Sequence, residues 1–281
     1  MSSESNRFDN LELYCTASPG DLMEMLSDEI TMVNGRPHGF KDNGSNVLAV
    51  VHLDTAIGEH WPFVMNGDRV VSPALDDRLG LWAIFDGLPA LGVLPDVLLT
   101  TDEEIGRSTA ADFVPQKDYN WIFSFDRRGS DVVMYEYHTS VLEETLYEYG
   151  FHVGMGSYSD ISYLGHLGVS GFNFGTGYQN EHTVMCHAQL SVTLYMLELF
   201  APFYLDFCDV KLAHSTESGQ STDSSALLDQ LEQEYQDYYT SMADEVFECT
   251  ECLEYQDFEH ESTTIPGVCR ECAMVALDLP F

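Results

Sequence analysis

The chain has 281 residues, 44% of them hydrophobic, enough for one substantial core and a small extra module. It carries 47 acidic and 11 basic residues, a formal net charge of −36 and a pI of about 4.1, a balance that repels nucleic-acid phosphates and anionic membrane surfaces. No basic start leads into an apolar run, no stretch has the roughly 18 consecutive apolar residues of a membrane span, and the seven cysteines are too unevenly placed for a disulfide scaffold; a cytoplasmic protein is expected. Two readings of the charge stay open. One is a surface suited to concentrated salt, where the Debye length shrinks to about 3 Å at 1 M. The other is an acidic surface solvated in ordinary salt.

Residues 8–45 read as an N-terminal helix and a turn-rich connection, with Pro19-Gly20-Asp21 opening a short amphipathic helix over Leu22, Met23, Met25 and Leu26. The run from Val47 to Val51 reads as a strand buried on both faces. Val70-Val71 suggests a short strand, followed by a helix from Gly80 to Leu88. Strands are predicted over 97–100, 121–125 and 169–174, and helices over 108–113, 140–149 and 187–203. This alternation argues for an α/β fold: a mostly parallel mixed sheet flanked by helices. The polar, serine-rich stretch 211–225 reads as a linker between a domain over 1–210 and an acidic helix (227–247) within a small module over 226–281.

Five short motifs lie at or beside predicted strand ends: His52-Leu53-Asp54, Asp76-Asp77, Glu103-Glu104, Asp126 followed by Arg127-Arg128, and Asn180-Glu181-His182. In open α/β sheets, ligands collect at the carboxyl ends of strands, so residues distant in sequence can share one edge. A hydrolytic two-metal site needs nitrogen and oxygen ligands and one carboxylate able to bridge. Ions about 3.5–4 Å apart can share a hydroxide and polarise a scissile carbonyl. Of two adjacent glutamates, one can bind metal while the other takes the proton from the attacking water. An aspartate two residues after a ligand histidine can fix the ring's tautomer, the role open to Asp54. Arg127 and Arg128 can grip a substrate carboxylate or pair with the many acidic groups, and the second reading is preferred. The remaining histidines, without motif context, are read as packing or surface residues.

This order of motifs resembles the di-zinc exopeptidase superfamily, which includes leucyl aminopeptidase, peptidase T and the tetrahedral aminopeptidases. The segments 74–80 and 101–106 are its most specific pieces, and 156–160 and 180–183 look like late motifs of the aminopeptidase branch. The resemblance implies one ion on His52, Asp76 and Asp126 and another on Asp76, Glu104 and His182, with zinc, cobalt or manganese all suited to the ligands. It implies Glu103 as general base, Asp54 orienting His52, and a cis peptide bond from Asp76 to Asp77. Either aspartate of that pair can bridge, and Asp76 is preferred. Only 23 residues separate His52 from Asp76, and 55 separate Asp126 from His182, which leaves no room for an inserted lid domain. The expected activity is removal of N-terminal residues from peptides. Another amide hydrolase, a deacylase or carboxypeptidase, and an inactive protein-binding relative are the alternatives.

Near the C-terminus, Cys249 and Cys252 form one CxxC pair and Cys269 and Cys272 another, with 16 residues between. Four thiolates at this spacing suit one structural zinc, and metal binding would supply much of the module's folding energy. The module resembles a zinc ribbon. Its acidic surroundings disfavour nucleic acid and favour a structural role or a protein partner.

Overall fold

Four apolar segments supply the centre of the fold, because side chains buried on both faces suit parallel strands covered by helices. The computed structural model describes residues 8–57 and 62–214, and the backbone of 246–248 and 255–257. The chain divides into two compact units, Met1–Ser218 and Gly219–Phe281, with the boundary inside the polar stretch 211–225.

In the first unit, helices α1 (Leu11–Thr16) and α2 (Pro19–Leu26) precede a hairpin of β1 (Glu29–Val33) and β2 (Arg36–Lys41). The Asn34-Gly35 turn has φ values of 52° and 80°, the left-handed pair that a two-residue hairpin turn requires. This hairpin replaces the turn-rich connection expected there. Next come β3 (Val47–His52), β4 (Val64–Asn66), β5 (Arg69–Val71) and α3 (Leu75–Trp82). They are followed by β6 (Asp96–Thr100), β7 (Trp121–Arg127), β8 (Val132–Val133) and α4 (Ser140–Glu148). The unit ends with β9 (Gly171–Gly175), β10 (Tyr178–Gln179), β11 (His187–Gln189) and α5 (Leu190–Phe207). The helix expected over 108–113 is only a 3-10 turn, Thr109–Asp112. The long helix starts at Leu190 rather than at His187, because His187–Gln189 pair with β5 instead.

The main sheet has seven strands in the order β1-β2-β6-β3-β7-β9-β8. Its central strands β6, β3, β7 and β9 run parallel, and the flanking pairings are antiparallel. A four-stranded antiparallel sheet, β10-β11-β5-β4, carries the loop between Gln179 and His187. Alternation along β7 sends Trp121, Phe123 and Phe125 to one face, where they meet Phe200 and Phe203 of α5. The ring of Phe200 lies 4.7 Å from Phe123 and 4.9 Å from Phe174. Helix α5 is long and apolar enough by composition to cross a membrane, with a mean hydropathy of 1.3, yet this aromatic face is packed on the sheet.

In the second unit, β12 (Val246–Glu248) pairs antiparallel with β13 (Tyr255–Asp257). Val246 and Phe247 are therefore strand, not the end of the acidic helix expected over 227–247. Cys249, Cys252, Cys269 and Cys272 lie outside the described residues.

Candidate metal centre

The pleat decides which side chains can meet. Val47 is paired with Trp121 and Ala49 with Phe123, so these residues share the aromatic face. His52 and Asp126, each an odd number of residues from that set, project from the opposite face. Thr100, paired with His52, points the same way. The register of β7 against β9 shifts between Ser124 and Arg127, an irregularity beside the candidate site.

His52 is buried at the end of β3. Its Nε2 lies 3.2 Å from Asp76 Oδ1 and 3.6 Å from Asp126 Oδ1. Its Nδ1 lies 3.1 Å from the backbone carbonyl of Asp54 and 3.6 Å from Asp54 Oδ1. The Asp54 carboxylate, expected to orient this ring, also accepts the amides of Glu103 (3.4 Å) and Glu104 (3.1 Å). One residue thus ties the ends of β3 and β6 together. Glu104 Oε1 accepts the amide of Ala56 at 2.8 Å, and its Oε2 lies 3.0 Å from His182 Nε2. His182 Nε2 is also 3.2 Å from Asp76 Oδ2. His182 and Asn180 have φ of 58° and 56°, left-handed values that non-glycine residues seldom adopt and that recur at ligand sites.

Asp76 therefore turns one oxygen toward His52 and the other toward His182. Among the described residues, two groups of three can hold a metal ion: His52, Asp76 and Asp126, and Asp76, Glu104 and His182. In each, the donor atoms lie within 4.8 Å of one another. Asp77 behaves differently. It is fully buried, neither carboxylate oxygen has a hydrogen-bond partner, and it belongs to neither group. The Asp76–Asp77 peptide bond is cis.

Several contributors carry little sequence signal. Tyr178 donates its hydroxyl to Asp126 Oδ1 at 3.2 Å, while the Asn173 amide brackets the Asp126 backbone at 2.9 and 2.8 Å. Asp160, inside the late motif 156–160, is buried and accepts the Thr100 hydroxyl. Arg78 is buried beneath the site and donates to the carbonyls of Tyr14 and Leu53. Arg127 grips Asp131 through two nitrogens and Arg128 pairs with Glu181, consistent with the expectation that they serve acidic partners.

Electrostatics favour a cation here. Burial, reinforced by Asp76, pushes Asp126 up to about 7. Burial, reinforced by Asp126, Asp160 and Asp76 against the pull of His52, pushes Glu103 up to about 9. Hydrogen bonds to Asp76 and Glu104 push His182 up to about 10. Carboxylates crowded at such depth need positive charge beside them to ionise together. A mixed imidazole and carboxylate donor set fits zinc and its divalent neighbours.

No protein-family model matches the chain, and no curated protein matches its sequence. Similar solved structures exist. The aminopeptidase PepT from Bacillus cereus aligns with a TM-score of 0.51 at 10% identity, over 70% of this chain and 97% of that one. A tripeptidase from Staphylococcus aureus aligns at 0.51 and 10%, over 73% and 98%. A TET aminopeptidase from a marine-sediment member of the Thaumarchaeota aligns at 0.51 and 12%, over 73% and 96%. The chain thus shares the α/β fold of these peptidases, with its candidate metal ligands gathered at one edge of the central sheet.

Proposed function

We propose that the protein is a two-metal amide hydrolase of the aminopeptidase type, removing N-terminal residues from peptides. One observation carries the reading: a single carboxylate, Asp76, divides its two oxygens between two separate three-residue donor groups. His52 and Asp126 would complete one site, and Glu104 and His182 the other. A pair of divalent ions held there would polarise a scissile carbonyl and lower the pKa of water.

The chain's own residues do the rest. Asp54 holds His52 and the Glu103–Glu104 amides in one register. Tyr178 and Asn173 fix Asp126. Glu103 stands among the same buried charges without belonging to either donor group; with divalent ions beside it to hold it ionised, its carboxylate would take a proton from the attacking water and return it to the leaving amine. The likeness in fold to an aminopeptidase and a tripeptidase supports a peptide substrate. The short spacing between Asp126 and His182 supports a compact enzyme without an inserted lid. A deacylase or carboxypeptidase on the same scaffold is the alternative.

The test is metal content per chain, for the full protein and for a form ending at Ser218, the end of the first unit. With zinc supplied, about three ions falling to two on truncation is the expected result, the difference being a structural ion on Cys249, Cys252, Cys269 and Cys272. A full-length protein that takes up one ion, and a truncated one that takes up none, would remove the two-metal reading.

A further inference from the structure

We propose that Arg36, which no catalytic motif includes, is a positioning residue: it fixes the loop that presents Glu103 and Glu104, and through that loop the ion site shared by Asp76, Glu104 and His182. The inference rests on the two-metal reading above.

The register of the sheet puts Arg36 in place. Strand β2 pairs with β6 antiparallel, Gly39 opposite Leu99 and Phe40 opposite Leu98. Continuing that register sets Pro37 across from Thr101 and Arg36 across from Asp102, just past the last ladder pair. The contacts follow it. Thr101 donates its hydroxyl to the Pro37 carbonyl at 3.0 Å. Pro37 has no amide to give in return, and the guanidinium of Arg36 supplies the donors instead. Its Nη1 donates to Asp102 Oδ2 at 3.4 Å and to the carbonyl of Arg107, and its Nη2 donates to Asp112 Oδ2 at 3.0 Å.

These three acceptors span the loop. Asp102 has φ of 64°, and the turn it opens is closed by the amide of Gly106 on the Glu103 carbonyl (2.8 Å) and of Arg107 on the Asp102 carbonyl (3.0 Å). Glu103 and Glu104 stand inside that turn. Asp54 holds their amides, and Arg36 holds the residues before and after them. The hairpin that carries Arg36 is itself set by its two-residue left-handed turn, so the guanidinium projects from a defined strand start. A chain with 11 basic residues against 47 acidic ones places one here, on two carboxylates and a carbonyl. A planar fork reaches three acceptors together; an ammonium does not match that geometry.

The two donor groups give the test its discrimination. Only Glu104 depends on this loop, whereas His52 and Asp126 come from β3 and β7. Cobalt(II) is titrated into the metal-stripped full-length protein and into Arg36→Met, Arg36→Lys and Glu104→Ala variants, with bound metal read by equilibrium dialysis. Wild type is expected to bind in two classes at the catalytic site. Arg36→Met should weaken the class that Glu104→Ala abolishes by about 10-fold or more, the range for residues that orient metal ligands, and leave the other within about two-fold. Arg36→Lys should fall between, and methylguanidinium added to Arg36→Met should restore part of the loss. Equal weakening of both classes, or none in Arg36→Met, overturns the proposal while leaving the two-metal reading intact. Wild type that binds no cobalt outside the cysteine module overturns both.

Discussion

Replacing Glu103 by glutamine is expected to lower kcat by about 10²–10⁴-fold with two catalytic ions still bound and KM within a few-fold of wild type. Glu103 is 8% exposed, stands next to the candidate ligand Glu104, and is not itself a donor in either group. Glutamine keeps its shape and volume but cannot take a proton. Asp54 reaches the backbone amide of residue 103, so that hydrogen bond survives the substitution. The readouts are steady-state kinetics on aminoacyl anilides and elemental analysis of the same sample. A Glu103→Gln protein with unchanged kcat would place the proton transfer elsewhere, and loss of ions along with activity would make Glu103 a ligand instead.

The second large effect is at Asp76. Alanine there removes the oxygen facing His52 and the oxygen facing His182 in one step, so both donor groups fall to two members. The expected outcome is loss of at least one catalytic ion and of all measurable turnover. Single changes at His52 or His182 should each loosen one ion and spare the other. Folding is expected to persist in Asp76→Ala, because the aromatic core of β7, β9 and α5 lies on the opposite face of the sheet. Circular dichroism and metal analysis on one preparation separate these outcomes. Two tightly held ions in Asp76→Ala would show that Asp76 does not bridge.

Much of this arrangement was legible before the structure. Strands β3, β6 and β7 carry short apolar runs that lead into His52, Thr100 and Asp126, and the rule that ligands gather at the carboxyl ends of parallel strands brings those residues together. Asp76 is preferred to Asp77 as the bridge, but residue type could not decide between them, because adjacent identical residues differ only in direction. In the structure one faces both histidines and the other is buried without a partner. The β1–β2 hairpin was missed although Asn34-Gly35 announces such a turn; Arg36-Pro37-His38-Gly39 lacks the apolar alternation of a strand, and its register comes from pairing with β6. The role of Arg36 could not be read at all, since its carboxylate partners lie 66 and 76 residues away. His187–Gln189 continue the apolar pattern of the following helix, and only pairing with β5 draws them into a strand.

The five donor residues come from separate segments between His52 and His182 that depend on both sheets for their meeting. An unfolded chain holds no such assembly, so ions bound there act as ligands of the native state alone. By mass action, each site filled at 100 times its dissociation constant adds about 2.7 kcal/mol to the free energy of unfolding. On the two-metal reading, heat tolerance would become a function of free metal concentration, and a chelator is expected to lower the melting temperature as well as to stop turnover. Availability of the ion would set how long the folded enzyme lasts, as well as how fast it works.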